Sequence, residues 1–260
     1  MWVVFWGEAD LHPHRSRYWL NAKTKAGEPE AFACQVETVC TLYAYAPLLH
    51  QLGGHVVRCD ELTAIQALER TAPTQPMQSG QVERREFEYI RHGTLSLITN
   101  FDVATGQVIA PSLGPTRNEA DFAAHIAQTL DSDPQAVWVF VTDNVNTHQS
   151  AALVRLVAER CGLSEDLGEK GKSGILQSMP TRAAFLSDPS HRIQFVYVPK
   201  HTSWLNQVEI WLGILVRRVL KRGNFTALDD LRGKIMDFIA YFNRTAKPFR
   251  WTYAGRPLVD

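Results

Sequence analysis

Three carboxylates stand out for where they fall in the chain. Asp60 closes the apolar run His55-Val-Val-Arg-Cys-Asp60, and Asp143 closes Ala136-Val-Trp-Val-Phe-Val-Thr-Asp143. Both runs read as strands, the second as a central strand buried on both faces. Ligand sites in open α/β sheets collect at the carboxyl ends of strands, so this placement brings the two aspartates together. Neighbouring carboxylates repel unless a cation lies between them, and hard oxygen donors favour Mg²⁺ or Mn²⁺. Each aspartate taken alone fits equally well as a cap on the turn that follows. A two-metal site needs a third carboxylate, and Glu209 is the candidate. Leu205, Val208, Leu212, Leu215 and Val219 form the apolar stripe of a helix. At about 100° per residue Glu209 sits roughly 40° from Leu205, at the margin of that stripe. A carboxylate there faces the sheet edge, although alone it also suits a flanking salt bridge.

The elements that must position these groups follow from periodicity and breakers. A helix fits 30–45, with Phe32, Val36, Val39 and Tyr43 at helical spacing. Gly53-Gly54 interrupts it, and a strand over 55–60 follows. Residues 71–82 read as a loop, and strands over 93–101 and 107–110 are joined by Ala104-Thr-Gly106 as a hairpin. Helices fit 118–130 and 149–161, on either side of the strand over 136–143. Residues 162–190, rich in Gly, Ser, Lys and Pro, read as an inserted surface flap. A strand over 192–198 and helices over 204–222 and 227–243 complete the chain. Antiparallel strands followed by strand–helix alternation predict an α/β fold: an RNase H-like mixed five-stranded sheet flanked by helices, with an insertion before the last strand. Residues 1–50 form an N-terminal arm or linker in this reading, and 51–260 the folded domain.

Composition sets the outer bounds. With 260 residues, 45% hydrophobic and 21% charged, the chain is long and apolar enough to bury a large core, which excludes disordered, collagenous and coiled-coil classes. No run approaches the roughly 20 apolar residues of a membrane-spanning helix. The apolar start, Met1 to Trp6, lacks the basic region and cleavage site of a signal peptide. Cys34, Cys40, Cys59 and Cys161 have neither CxxC nor zinc-ligand spacing, which suits a reducing cytoplasm. The net charge of zero conceals an asymmetry: residues 61–150 carry 5 basic and 11 acidic side chains, and residues 200–260 carry 11 basic and 5 acidic. A basic face of this kind grips phosphate, although solvated helix surfaces alone would also account for it.

Several motifs resemble one family. They are Cys59-Asp-Glu-Leu-Thr-Ala-Ile-Gln-Ala-Leu-Glu-Arg70, Arg84-Arg-Glu-Phe-Glu-Tyr89, Arg91-His-Gly-Thr-Leu95, Thr142-Asp-Asn-Val-Asn-Thr-His148, Thr202-Ser-Trp-Leu-Asn-Gln-Val-Glu-Ile-Trp211, Arg222-Gly-Asn-Phe225 and Ala246-Lys-Pro-Phe-Arg-Trp-Thr-Tyr253. In this order they resemble the bacterial insertion-sequence branch of the mariner-type DDE transposases, from about Leu11 to Leu258. The resemblance implies a catalytic triad of Asp60, Asp143 and Glu209 holding two divalent ions, Mg²⁺ or Mn²⁺. It implies hydrolysis of a phosphodiester at the transposon end, followed by attack of the freed 3′-hydroxyl on target DNA, with no covalent enzyme intermediate. Double-stranded DNA and a second copy of the chain, as a homodimer, are the partners it implies. Neither a membrane nor a nucleotide cofactor enters.

Other residues are candidates for DNA contact. Arg84, Arg85 and Arg91 alternate with Phe87 and Tyr89 in a backbone-contacting strand or loop. Arg217, Arg218, Lys221 and Arg222 end the helix that carries Glu209 and suit phosphate or the helix dipole. His148 follows the second aspartate and either orients a ligand or touches DNA. His201, Trp204 and Asn206 precede Glu209 and either approach DNA or brace the site. Glu61 should point to the opposite face from Asp60 and serve a salt bridge.

The pattern departs from the family in two places. Family members begin with a helix-turn-helix region that recognises transposon ends, and here Met1 to Ala9 would be its last trace. In addition, 65 residues separate Asp143 from Glu209, an excess that falls in 161–189. Gly171-Lys172-Ser173 in that stretch is not a phosphate loop, because the required glycine five residues earlier is Asp166 and no strand leads into it. Two other functions fit the same residues: an RNase H-like nuclease without strand transfer, and an inactive truncated transposase that only binds DNA or dimerises.

Overall fold

A computed structural model describes residues 29–199, 202 and 205–252. The expectations for the N-terminal arm before residue 29, and for His201 and Trp204, lie outside the described residues. Helix α1 (Pro29–Gln51) leads through Gly53-Gly54 into strand β1 (Gly54–Arg70). Strands β2 (Tyr89–Asp102) and β3 (Val108–Gly114) follow, then helix α2 (Glu119–Ser132) and strand β4 (Val137–Thr142). A 3₁₀ turn (Asn146–Gln149), helix α3 (Ala151–Cys161), helix α4 (Met179–Leu186) and strand β5 (Ile193–Tyr197) come next. Helix α5 (Gln207–Leu215), a π-helical turn (Val216–Leu220) and helix α6 (Leu228–Arg244) close the fold.

The five strands form one mixed sheet in the order β3-β2-β1-β4-β5, antiparallel through β3, β2 and β1 and parallel through β1, β4 and β5. This is the sheet the sequence predicts. The interior strand β4, between β1 and β5, is apolar on both sides, as a covered parallel strand must be. Trp138 and Phe140 pack with α2, α3 and α4, while Val139 and Val141 face α1. Helices α5 and α6 cover the remainder of the second face, where Leu97, Phe101, Val208, Trp211, Leu215 and Ile235 are buried.

Local chemistry fixes the helix ends. Asn118 and Asp121 close a capping box at the start of α2, and Ser150 caps α3, which ends at Gly162 in a left-handed conformation (φ 67°). All four cysteines are free thiols.

Three expectations require correction. First, β1 does not end at Asp60 but runs ten residues further, to Arg70. Its parallel ladder with β4 stops at Arg58↔Val141, and beyond it β2 alone supplies partners as far as Arg70↔Tyr89. Long-range pairing of this kind leaves no local signal. Second, the helix expected over 204–222 is divided: α5 is α-helical only as far as Leu215, then winds into the π turn. Third, 162–190 is no projecting flap. It carries α4 behind a Ser178/Thr181 capping box, and it inserts Leu176, Phe185 and Leu186 into the core beneath the sheet. Its glycines and prolines mark turns between buried anchors.

Candidate active site

Asp60 lies two residues past the end of the β1–β4 ladder, and Asp143 lies one residue past β4, so both occupy the same edge of the sheet. Alternation along β1 puts Asp60 on the face of Arg58 and puts Glu61 on the other. Arg58 is 2% exposed, a charge too costly to bury unless something answers it. Its hydrogen-bond acceptor is Asn206, immediately before α5, which also reaches the Asp60 carboxylate. Arg58 Nε donates to Asn206 Oδ1 at 2.9 Å, and Asn206 Nδ2 donates to Asp60 Oδ2 and, at 3.2 Å, to Glu209 Oε1. One amide therefore joins the first and third carboxylates.

This arrangement explains a local anomaly. Asn206 stands at the N-cap position of α5, yet its side chain caps no backbone N–H. The side-chain oxygen that would normally accept from the helix start accepts from Arg58 instead, and the Nδ2 group serves the carboxylates. Glu209 sits in the first turn of the same helix, with its carboxylate turned toward Asp60. Partial burial and the charge of Asp60 raise its pKa above the usual carboxylate value.

Asp143 is held by a different partner. His148, on the 3₁₀ turn that follows, places Nδ1 2.6 Å from Asp143 Oδ1 and Nε2 3.6 Å from Glu61 Oε1. The imidazole is 1% exposed and lies 4.2 Å from the Phe122 ring, centre to centre. Burial opposes its charge, but the two carboxylates override burial and push its pKa up to about 9. Burial likewise tends to raise Asp143, while the hydrogen bond and charge of His148 bring it below its ordinary value. Glu61, opposed by burial in the same way, is lowered by His148 and by Arg117, whose guanidinium is 2.7 Å away. Glu61 thus lies on the opposite face from Asp60 and serves the salt bridge expected of it.

His148 and Asn206, both candidates for DNA contact, take the bracing alternative in this structure. Both are buried, and both orient carboxylates. The remaining described candidates, Arg84, Arg85, Arg91, Arg217, Arg218, Lys221 and Arg222, are exposed. Arg85 and Arg222 converge with Arg70 on a cleft of about 140 Å³ beside Thr74 and Asn224. Sequence reasoning passed over Arg70 and Arg58. Arg58 carried a signal, since it precedes Asp60 by two residues on an apolar strand, which puts both on one face. Arg70 joins the cleft through a long-range contact, its backbone N–H donating to Asn224 Oδ1 at 2.6 Å.

Residues 55–232 match the family model of the DDE superfamily endonucleases. No curated protein sequence matches the chain. Among solved structures, the Mos1 mariner paired-end complex with Mn is similar at 14% identity and a TM-score of 0.57, over 92% of this chain and 62% of that one. The Mos1 strand transfer complex matches at 14% identity and a TM-score of 0.52, covering 92% and 61%. The catalytic domain of Mos1 mariner transposase matches at 13% identity and a TM-score of 0.50, over 85% of each chain. The chain therefore spans about 62% of the Mos1 chain in the paired-end complex, and the likeness establishes the shared RNase H-like fold.

Proposed function

The chain belongs to the DDE superfamily endonucleases, and from that membership we propose that it is the catalytic domain of a DNA transposase, of the bacterial insertion-sequence branch of the mariner type. Its reaction would be hydrolysis of a phosphodiester at a transposon end and transfer of the resulting 3′-hydroxyl into target DNA. The observation that carries this reading is the Asn206 bridge, which ties Asp60 of β1 to Glu209 of α5 at the edge where Asp143 leaves β4.

The donor set fits a divalent cation. All three catalytic candidates are hard oxygen donors, and Glu209, raised first by burial and then by the charge of Asp60, is a carboxylate whose ionised form a cation would favour. Asp60, Asp143 and Glu209 would hold two ions, Mg²⁺ or Mn²⁺, which when bound supply Lewis-acid activation of the attacking and leaving oxygens. The chain's own contribution is orientation. Arg58 and Asn206 fix Asp60 and Glu209, and His148 fixes Asp143 and keeps it ionised. Arg84, Arg85, Arg91, Arg217, Arg218, Lys221 and Arg222, all exposed, would hold the phosphate backbone of double-stranded DNA, with His201 a further candidate. The matches to paired-end complexes of Mos1 support a homodimer as the working form.

The test is an assay of cleavage and strand joining on labelled duplex DNA in Mg²⁺ or Mn²⁺, with Asp143→Ala alongside. Metal-dependent nicking and joining that disappears in the variant, while DNA binding persists, supports the proposal. Nicking without joining would favour a plain RNase H-like nuclease. A folded protein that binds DNA but cleaves with neither metal would leave only the binding or dimerisation role.

A further inference from the structure

The opposite end of the sheet holds a second group of ligating side chains. His50 ends α1, His55 begins β1 and Asp102 ends β2, and one ligand atom from each lies within 4.8 Å of the others. Among the described residues this is the one group of three or more His, Cys, Asp or Glu side chains so closed. The turn between the histidines explains their meeting. Gly53 adopts a left-handed conformation (φ 82°), and a Cβ at Gly54 would stand 3.3 Å from the Leu49 carbonyl oxygen. The left-handed Gly53 and the close approach at Gly54 reverse the chain tightly and bring the last turn of the helix over the start of the strand.

We propose that His50, His55 and Asp102 form a second metal site, distinct from the catalytic carboxylates, that takes Zn²⁺ or another borderline divalent transition ion.

Three details favour an ion over a simple ion pair. His55 Nδ1 and Asp102 Oδ2 are 3.2 Å apart, close to the separation of two ligands on a tetrahedral zinc with bonds of about 2.0–2.1 Å. Asp102 Oδ1 is already occupied by the N–H groups of Ala104 and Thr105, at 2.8 and 3.2 Å, which leaves Oδ2 as the oxygen for a ligand. The other ring nitrogen of His55 lies 3.4 Å from Asp133 Oδ2, the outer carboxylate that commonly fixes the tautomer of a metal-bound histidine. The ring plane is held as well, stacked 4.2 Å from Trp138. His50 is exposed and its ring meets that of His55 edge-on at 5.4 Å, so the third ligand closes from the solvent side and a fourth position stays open to water. Two imidazoles and one carboxylate suit zinc, whereas Mg²⁺ demands oxygen donors throughout. The bound ion would pin α1 to the start of β1 and the end of β2, a structural role far along the strands from Asp60 and Asp143.

The experiment is a Zn²⁺ titration of the protein freed of any polyhistidine tag, in excess Mg²⁺ so that the carboxylate site is filled. Wild type should bind one equivalent and melt at a higher temperature with Zn²⁺. Co²⁺ in its place should give the intense visible absorption of a four-coordinate ion with nitrogen ligands. His50→Ala, a surface change outside the catalytic machinery, should weaken Zn²⁺ at least tenfold while Mg²⁺-dependent cleavage is retained. Asp133→Asn should weaken it by about 10- to 100-fold. No Zn²⁺ binding by wild type, or binding of undiminished affinity in His50→Ala, would overturn the proposal.

Discussion

Asp143 leaves β4 with its carboxylate 2.6 Å from the Nδ1 of His148, and the same ring turns its other nitrogen toward Glu61. The imidazole is thus a cation buried between two acids, one of which belongs to the candidate catalytic edge. Such a group couples the protonation of the site to the stability of the fold.

The pH dependence follows from the directions of the shifts. A histidine raised from 6.5 to about 9 on folding contributes fully below 6.5 and loses that contribution as pH climbs through about 9. Asp143 is lowered, so its contribution is lost only in acid and stays constant across this window. Metal-free protein in EDTA should lose up to about 3 kcal/mol of stability between roughly pH 6.5 and pH 10, measured by urea denaturation. His148→Gln should flatten that segment of the profile; an unchanged slope would show that His148 is not the titrating group.

Removing the Asn206 amide should harm fold and chemistry together. Asn206→Ala leaves Arg58 Nε buried without its acceptor, at a cost of about 1–3 kcal/mol. It also frees Asp60 from Glu209, and cleavage in Mg²⁺ should fall at least tenfold beyond what the loss of folded protein explains. Single-turnover rates, normalised to folded fraction by circular dichroism, separate the two effects.

The arginine cleft should act through phosphate alone. Arg70→Ala, Arg85→Ala and Arg222→Ala should each weaken duplex binding about equally for unrelated sequences. Each should reduce the slope of log K against log salt by about 0.9 if its charge meets one phosphate. Fluorescence anisotropy across a salt series gives this directly, and a variant that changed sequence preference would contradict it.

Residues 162–190 should behave as core. Leu176→Ala removes a side chain 1% exposed, and a loss of about 2–5 kcal/mol is expected. A projecting flap would tolerate the same change at almost no cost, so thermal or urea unfolding distinguishes the two.

Legibility in the sequence tracked the range of the interactions. The run from Ala136 to Thr142 announced a strand buried on both faces because local composition alone determines that fate, although β1 and not β4 takes the centre of the sheet. The buried stripe Leu205, Val208, Leu212 and Leu215 was likewise periodic and readable, and it put Glu209 at the margin where it is found. What stayed hidden depends on partners distant in the chain. The Asn206 link to Asp60 spans 146 residues, and its link to Arg58 spans 148. An asparagine before a helix reads as an N-cap by every local rule, and only the fold diverts it. The continuation of β1 beyond Asp60 was invisible for the same reason, since β2 supplies its partners.

The parting of β1 and β4 has a mechanical meaning. From β1 the chain passes to β2 on one side, and from β4 it passes through α3 toward β5 on the other, so these strands flank the switch point of the sheet. They form a fork: five residue pairs, Gly54↔Val137 to Arg58↔Val141, make a closed stem, and Asp60 and Asp143 ride on the tines. Each tine has its own backbone support, one from pairing to β2 and the other from the turn that carries His148, and the His148 and Glu61 side chains link the two. Small changes in carboxylate spacing can therefore occur above the stem without breaking a hydrogen bond in it. The alignment of the stem, by contrast, admits no adjustment. A slip of one residue in β1 would present Glu61 where Asp60 stands and turn Arg58 to the other face. The accuracy of the fork is inherited from the alignment of those five pairs.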